Sequence, residues 1–238
     1  MRNVLTIIAV ALVAVMSAAL VAPMLIDWSA HRAEVEARVH AITGANVSLT
    51  GPIEVRLLPT PYLALGAGSL SAPGPDGPKL SFDSARLELA LVKLTSGEIR
   101  FSDISLDNPV LTIVRGADGA PRFPALPIAR LRSTGVDRLI VRNGRVRVVG
   151  AADGAAQEIA GVDIDAAVPA LEGPAQLTGQ FSSPDGAPVV FRLASQKPGP
   201  EGTPLRVEVD AGSSWPAGEF EGMLEGDAAG GLGDLRFA

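Results

Sequence analysis

Residues 86–119 read RLELALVKLTSGEIRFSDISLDNPVLTIVRGADG, and apolar and polar residues alternate along this stretch almost without interruption. Alternation with a period of two is typical of β-strands that have one apolar and one polar face. The apolar positions are Leu87, Leu89, Leu91, Ile99, Phe101, Ile104, Leu106, Leu111 and Ile113. We predict that these residues line one apolar face of a sheet, and the fold depends on what covers that face.

The composition supports a mainly β protein. The chain has 238 residues, of which 47% are hydrophobic, and its 26 glycines and 19 prolines follow no collagen-like period. This combination favours many short strands joined by turns. The formal net charge of −6 gives no electrostatic reason to expect nucleic acid as a partner. The absence of cysteine excludes disulfides, thiol nucleophiles and thiolate metal sites.

The amino terminus predicts a membrane anchor. Residues 4–26, VLTIIAVALVAVMSAALVAPMLI, carry no charge. A helix of this length would reach about 34 Å, enough to cross a hydrocarbon core of about 30 Å. Arg2 precedes the stretch and Asp27 follows it, so the positive-inside tendency predicts a cytoplasmic amino terminus and a single pass. The small residues of VMSAA (15–19) leave open the alternative that the amino-terminal segment is a cleaved signal peptide.

Residues 27–44 predict a short amphipathic helix next to the membrane. Asp27 is a good N-cap and Gly44 a good C-terminal stop. Trp28, Val35 and Val39 recur at helical spacing. We expect this helix to cap one end of a sheet.

Residues 138–150, RLIVRNGRVRVVG, predict a β-hairpin, because Asn-Gly is the preferred two-residue turn. Folding about this turn would pair Val141 with Val146 on one face and would align arginines on the other. We predict that the arginine-bearing face is solvated. The less favoured alternative is that it contacts anionic groups. Its residues are Arg142, Arg145 and Arg147.

The sequence offers little catalytic chemistry. Both histidines, His31 and His40, fall in the amphipathic helix, so no Ser-His-Asp triad is available. The phosphate-binding motifs of nucleotide enzymes are absent from the sequence. A pair of catalytic carboxylates stays open, since the chain has 26 acidic residues. We predict a protein that is not an enzyme and has no metal or cofactor.

Four consecutive segments carry a resemblance to a known family. An amino-terminal apolar helix is followed by IDW, by TGANVSLTGPIEVRLLPTPYLALGAGSL, and by the pattern L-x-L-x-L-x-x-L-x-x-G-x-I-x-F-x-x-I-x-L-x-x-P-x-L, with Gly97 and Pro109 at its fixed positions. From Val4 to Phe123 the chain resembles the AsmA family. The resemblance implies a bacterial inner-membrane protein whose periplasmic β-units form a long twisted sheet, curled into a groove that carries lipids between membranes.

These inferences combine into one predicted architecture. Residues 45–130 form an AsmA-like β-groove unit of a twisted antiparallel sheet, and residues 131–238 form further hairpin or repeat units, truncated at the end. Phospholipid acyl chains, the inner membrane and outer-membrane or other envelope proteins are the expected partners. The alternative is a closed β-sandwich with a structural or interaction role in the cell envelope. A second sheet would then cover the apolar face, whereas in a groove acyl chains would cover it.

Overall fold

The computed structural model describes residues 2–74, 77–94, 100–115, 135–150, 156–167, 174–183, 185–197, 202–211, 217–224 and 235–237. Within these ranges the protein is mainly β, as predicted. The helices are α1 (Arg2–Leu25), a 3₁₀ turn (Trp28–His31), α2 (Arg32–Thr43) and α3 (Leu91–Leu94). On the described residues alone, none of these helices meets the combined requirement of length and apolar character for a membrane crossing.

The strands follow the amino-terminal helices. They are β1 (Asn46–Leu49), β2 (Ile53–Arg56), β3 (Tyr62–Leu65), β4 (Gly68–Ser71), β5 (Lys79–Phe82), β6 (Ser84–Leu89), β7 (Arg100–Asp107), β8 (Val110–Arg115), β9 (Gly135–Val136), β10 (Arg138–Gly150), β11 (Ala156–Ala167), β12 (Gln176–Ser182), β13 (Pro188–Ser195), β14 (Thr203–Ala211), β15 (Gly218–Leu224) and β16 (Leu235–Phe237).

All the described strands belong to one open sheet, so the alternative of a closed sandwich is wrong for this part of the chain. The amino-terminal strands form two limbs, β1-β4-β5-β8 and β2-β3-β6-β7. Both limbs join β10, because β8 pairs with one half of β10 and β7 with the other. From β10 to β16 each strand pairs with the next one in antiparallel orientation. We call this part the meander.

Two details of the predicted sheet are wrong. The sheet is not wholly antiparallel, since β10 runs parallel to both β7 and β8. Nor is there a hairpin at residues 143–144, because β10 continues through them as one strand. Asn143 does have the positive φ (52°) expected of a turn residue, but it lies where the register with β11 shifts between Val141 and Val146. Pairing on both sides of β10 therefore makes this residue part of a bulge.

The two limbs are halves of the same bent strands. The β7–β8 strand bends at Asn108-Pro109, where Asn108 has φ 49°. The neighbouring strands bend at Gly51 and Gly66, which approach each other so closely that a Cβ on Gly51 would lie 2.3 Å from the backbone nitrogen of Ala67. Glycine is required here because the backbones themselves are in contact.

The core lies inside this bend. Its buried residues come from both limbs and are Leu49, Ile53, Leu65, Phe82 and Ala85. Trp28 and Val35 pack against them from the 3₁₀ turn and α2. The Glu36 carboxylate accepts a hydrogen bond from the backbone N–H of Leu49 (2.7 Å), which ties α2 to strand β1. The predicted role of this helix as a cap on one end of the sheet is therefore confirmed.

Both predicted helix signals are also present. The Asp27 carboxylate accepts a hydrogen bond from the backbone N–H of Ser29 (3.0 Å), so it caps the 3₁₀ turn that leads into α2. Gly44 ends α2 with φ 70°, the left-handed conformation that glycine adopts most readily.

Candidate functional site

The most extensive feature of the sheet is a row of apolar side chains that crosses ten strands in register. Each member lies directly opposite the next across a strand pair, so all of them share one face. With strands about 4.8 Å apart, the row extends about 43 Å. We call it the apolar row; its members are Val55, Leu63, Leu87, Ile104, Leu139, Ala166, Leu177, Leu193, Val207 and Phe220.

A second row on the same face is also free of polar side chains. It consists of Ile53, Leu65, Ala85, Leu106, Val141, Ile164, Gly179, Phe191, Val209 and Gly218. At Gly179 the neighbouring ring of Phe191 occupies the place of a side chain, since a Cβ there would lie 2.5 Å from the ring. The two rows together make a continuous apolar surface.

The opposite face of the meander is charged. Arg138 binds Asp165 (Nε to Oδ1, 2.9 Å), and this hydrogen bond lowers the pKa of the aspartate. Arg192 pairs with Glu208 at 3.4 Å, and Arg206 reaches Glu221 at 3.0 Å. Exposed ion pairs of this kind contribute little stability. These ion pairs do identify the face of the meander that meets water. The apolar rows therefore lie on the other face.

Burial of the apolar surface changes along the sheet. At the amino-terminal end the second row is in the core, with Ile53 and Leu65 6% and 7% exposed. At the other end Leu177, Leu193 and Val207 are half-buried and Phe220 is 39% exposed, although Ala166 and Val189 on the same face are 2% and 0% exposed. The main contacts of the described helices with the sheet are to β1 and β2. Within the described residues the helices therefore provide little of the cover of the meander's apolar surface.

The predicted lining residues can now be located. Leu87 and Ile104 belong to the apolar row and Leu106 to the second row, while Leu89 pairs with Phe101 at a bulge. Leu111 and Ile113 lie beyond the bend, opposite Val146 and Val148. Leu91 does not continue the strand but begins α3, where it is 43% exposed, so its assignment to the sheet is wrong. Ile99 and Gly97 lie outside the described residues.

A chain of polar side chains follows the bend across the sheet. Asn143 donates from Nδ2 to Oδ1 of Asn108 (2.6 Å), and Asn108 donates to Asp83 (3.0 Å). On the other side Asp163 accepts from the backbone N–H of Asn143 (2.8 Å) and from Gln180 (2.9 Å). These two hydrogen bonds lower the pKa of Asp163, the first more strongly.

The bulges at the bend keep the apolar surface continuous. Ile104 and Leu106 have even numbers, whereas Leu111 and Ile113 have odd ones, and strict alternation would send the two pairs to opposite faces. The irregular residue Asn108 switches the alternation, as Asn143 does in β10. Simple alternation does not predict this role of Asn108 and Asn143, although the change of parity across Asn108-Pro109 is a readable signal for it.

The three arginines of the predicted basic face do not face one another. Arg142 contacts Asp107 (3.7 Å), and Arg147 binds Glu158 (2.8 Å). Arg145 forms no ion pair with a residue in the described part of the chain. The predicted alignment of arginines is wrong because β10 does not fold back on itself. Two of the three arginines have acidic neighbours.

Two titratable groups on the polar face have shifted pKa values with structural causes. Tyr62 donates to Glu54 (2.7 Å), which raises the pKa of the tyrosine, and the Arg86 guanidinium lies 3.8 Å above its ring. Burial raises the pKa of Asp103, with a further contribution from the Glu88 carboxylate opposite it. Among the described residues, acidic and histidine side chains nowhere gather in a group of three that could hold a metal ion.

Comparison with known proteins assigns the family. The family model described as AsmA family matches residues 1–127, more than half of the chain. The chain belongs to the AsmA family. The matched region covers α1, α2 and both limbs of the bent sheet, and ends before the meander. Among curated proteins, none matches this sequence.

Proposed function

We propose that this AsmA-family protein binds the acyl chains of phospholipids along its apolar rows and takes part in phospholipid transport between envelope membranes or in outer-membrane assembly. The observation that carries the proposal is the unbroken apolar row from Val55 to Phe220. In this proposal the protein acts by apolar contact, without catalysis and without a cofactor.

An apolar surface without polar interruptions is what a lipid conduit requires. Moving about fourteen methylenes into water costs about 11 kcal/mol at about 0.8 kcal/mol each. A charged position in the path would hold water beside the acyl chain and so impose part of this cost at every passage. The two rows contain no such position, and their length of about 43 Å exceeds the thickness of a bilayer's hydrocarbon core, about 30 Å.

The exposure of α1 supports a place for the protein at the inner membrane. Its described large apolar side chains are exposed by about half or more and are Ile7, Ile8, Val10, Val13, Val15, Met16, Leu20, Val21 and Leu25. In the proposed topology α1 crosses the membrane once, with Arg2 on the cytoplasmic side and the sheet in the periplasm.

Photo-crosslinking in native membranes tests the lipid contact. A photoreactive amino acid replaces Leu193, which belongs to the apolar row, and in a separate variant replaces Ala194, the next residue and therefore on the opposite face. We expect phospholipid adducts at position 193 and far fewer at position 194. A second pair, Leu87 and Arg86, repeats the comparison in the amino-terminal limb.

Two outcomes would contradict the proposal. Equal lipid labelling at positions 193 and 194 would mean that the contacts are not specific to the apolar face. Adducts to peptide alone at position 193 would mean that protein covers the apolar row.

A further inference from the structure

The loop between β2 and β3, residues 57–61, lies beside α1. Leu58 and Pro59 of this loop line a shallow apolar cleft together with Met16, Ser17 and Leu20 of the helix. Strand β2 itself also contacts α1. The loop therefore lies against the side of α1 rather than beyond its end.

The position of this contact along α1 fixes the depth of the loop. Leu20 and Met16 precede the last residue of the helix, Leu25, by five and nine positions. At about 1.5 Å per residue they lie about 7 to 14 Å from that end of the helix. One leaflet contributes about 15 Å of hydrocarbon to a bilayer. A loop that contacts these residues is thus at the depth of the acyl chains if α1 crosses the membrane.

The loop and its neighbour have the exposed apolar side chains that such a position requires. Leu57 is 46% exposed and Leu91, the first residue of α3, is 43% exposed. The two segments adjoin, because the backbone N–H of Leu89 donates to the carbonyl of Pro61 (2.9 Å). Exposed leucine side chains gain free energy on transfer from water to hydrocarbon.

We propose that the loop of residues 57–61, with the start of α3, is immersed in the periplasmic leaflet of the bilayer that α1 crosses, so that the end of the apolar row opens among its acyl chains. Val55, the first member of that row, is two residues from Leu57, about 7 Å along the chain. This inference rests on the proposed function and deepens it, since phospholipids of that leaflet would reach the row without crossing water.

The cysteine-free chain allows a direct test with single cysteines. The full-length protein is reconstituted into liposomes of phosphatidylethanolamine and phosphatidylglycerol, with a nitrobenzoxadiazole label at one position. The probes are Leu57→Cys and, as a second loop variant, Thr60→Cys. Val13→Cys reports on α1 itself. Lys79→Cys is the control, because Lys79 is exposed and lies in the other limb, ten residues along the bent strand from Leu89.

Each label is quenched by lipids with a doxyl group at acyl carbon 5 and, separately, by aqueous iodide. We expect the ratio of lipid to iodide quenching at position 57 to be about tenfold that at position 79, which corresponds to about 1.4 kcal/mol. Position 60 should follow position 57. Melting curves equal to those of the unsubstituted chain establish that each labelled variant is folded.

The outcomes separate this inference from the proposed function. Quenching by doxyl lipid at both positions 13 and 57 supports the immersed loop. Quenching at position 13 with iodide-accessible labels at positions 57 and 60 would overturn it and leave α1 as an anchor. Iodide-accessible labels at all positions would overturn the anchor itself, and the immersed loop with it.

Discussion

The two ends of this sheet have the same pattern of alternation but different cover. In the bent limbs the apolar face meets α2 and the 3₁₀ turn, and Leu49 and Phe82 are 4% and 5% exposed. In the meander the same face continues in register and Val189 is fully buried, yet Leu193 and Val207 are only half-buried and Phe220 is 39% exposed. The difference shows that alternation specifies which face is apolar and says nothing about what covers it.

The size of α2 explains where the cover ends. Its twelve residues make a helix of about 18 Å, which is about the width of four strands. The described sheet continues for many strands beyond that width. A helix of this length closes a core at one end and cannot reach the strands beyond it.

Replacing one phenylalanine in the limbs and one in the meander should give the largest difference in the free energy of unfolding. Phe82→Ala empties a site in the closed core and should lower the free energy of unfolding by about 3–5 kcal/mol. Phe191→Ala removes a half-buried ring from the open face and should cost less than half as much. Urea unfolding of both variants measures the difference, and equal losses would mean that the meander is as closed as the limbs.

Alanine at a glycine of the bend should have the next largest effect. Gly51→Ala places a Cβ 2.3 Å from the backbone nitrogen of Ala67, and we expect a loss of about 1–3 kcal/mol from the resulting displacement. Gly218→Ala, whose new Cβ would meet nothing closer than 3.7 Å, is the matched control in the meander. Thermal unfolding should separate the two, and a tolerant Gly51 would refute the close backbone contact.

Loss of the tie between α2 and the sheet should have a smaller effect. Glu36→Ala leaves the Leu49 N–H without its carboxylate partner and should cost about 1 kcal/mol. Glu34→Ala, an exposed residue in the first turn of the same helix, is the control. Hydrogen exchange should become faster at Leu49 in the first variant only. Unchanged exchange there would show that packing alone holds α2.

The smallest expected effect is a pH dependence at the bend. The pKa of Asp163 is lowered in the folded protein, so its contribution is present above the unfolded value of about 3.9 and is lost as pH falls through the folded value. Asp163→Asn should therefore be less stable than the parent at pH 7, by less than about 1 kcal/mol, and the gap should close at lower pH. Urea titrations at pH 7 and pH 3 test this, and a gap independent of pH would exclude the aspartate's charge as its origin.

Much of this architecture was readable from short-range patterns. Alternation predicted the apolar face at Leu87, Ile104 and Leu106. Local capping chemistry predicted the Asp27 cap, which begins a 3₁₀ turn rather than α2 itself, and the end of α2 at Gly44. These features depend on residues close together in the chain, where sequence spacing is a good guide to geometry.

The errors arose where distant strands decide the structure. Asn143 satisfies the requirement for positive φ in a turn and in a bulge equally well, and the choice depends on β7 and β8, which lie more than twenty residues earlier. Leu91 fits the alternation of β6, but the strand ends before it and α3 begins. The open meander also had no local signature, because a face covered by a second sheet would alternate in the same way.

The sequential pairing of the meander has a consequence for how the chain is assembled. From β11 onward each strand pairs with the strand that precedes it in the chain, so the contact order of the meander is low. Each new strand can therefore pair with the edge strand that is already in place. The limbs differ, since β7 and β8 are joined to β10 through a long sequence separation. In a chain that emerges amino terminus first, arrival of β10 is therefore the step that closes the bent unit, and the later strands can be added one by one.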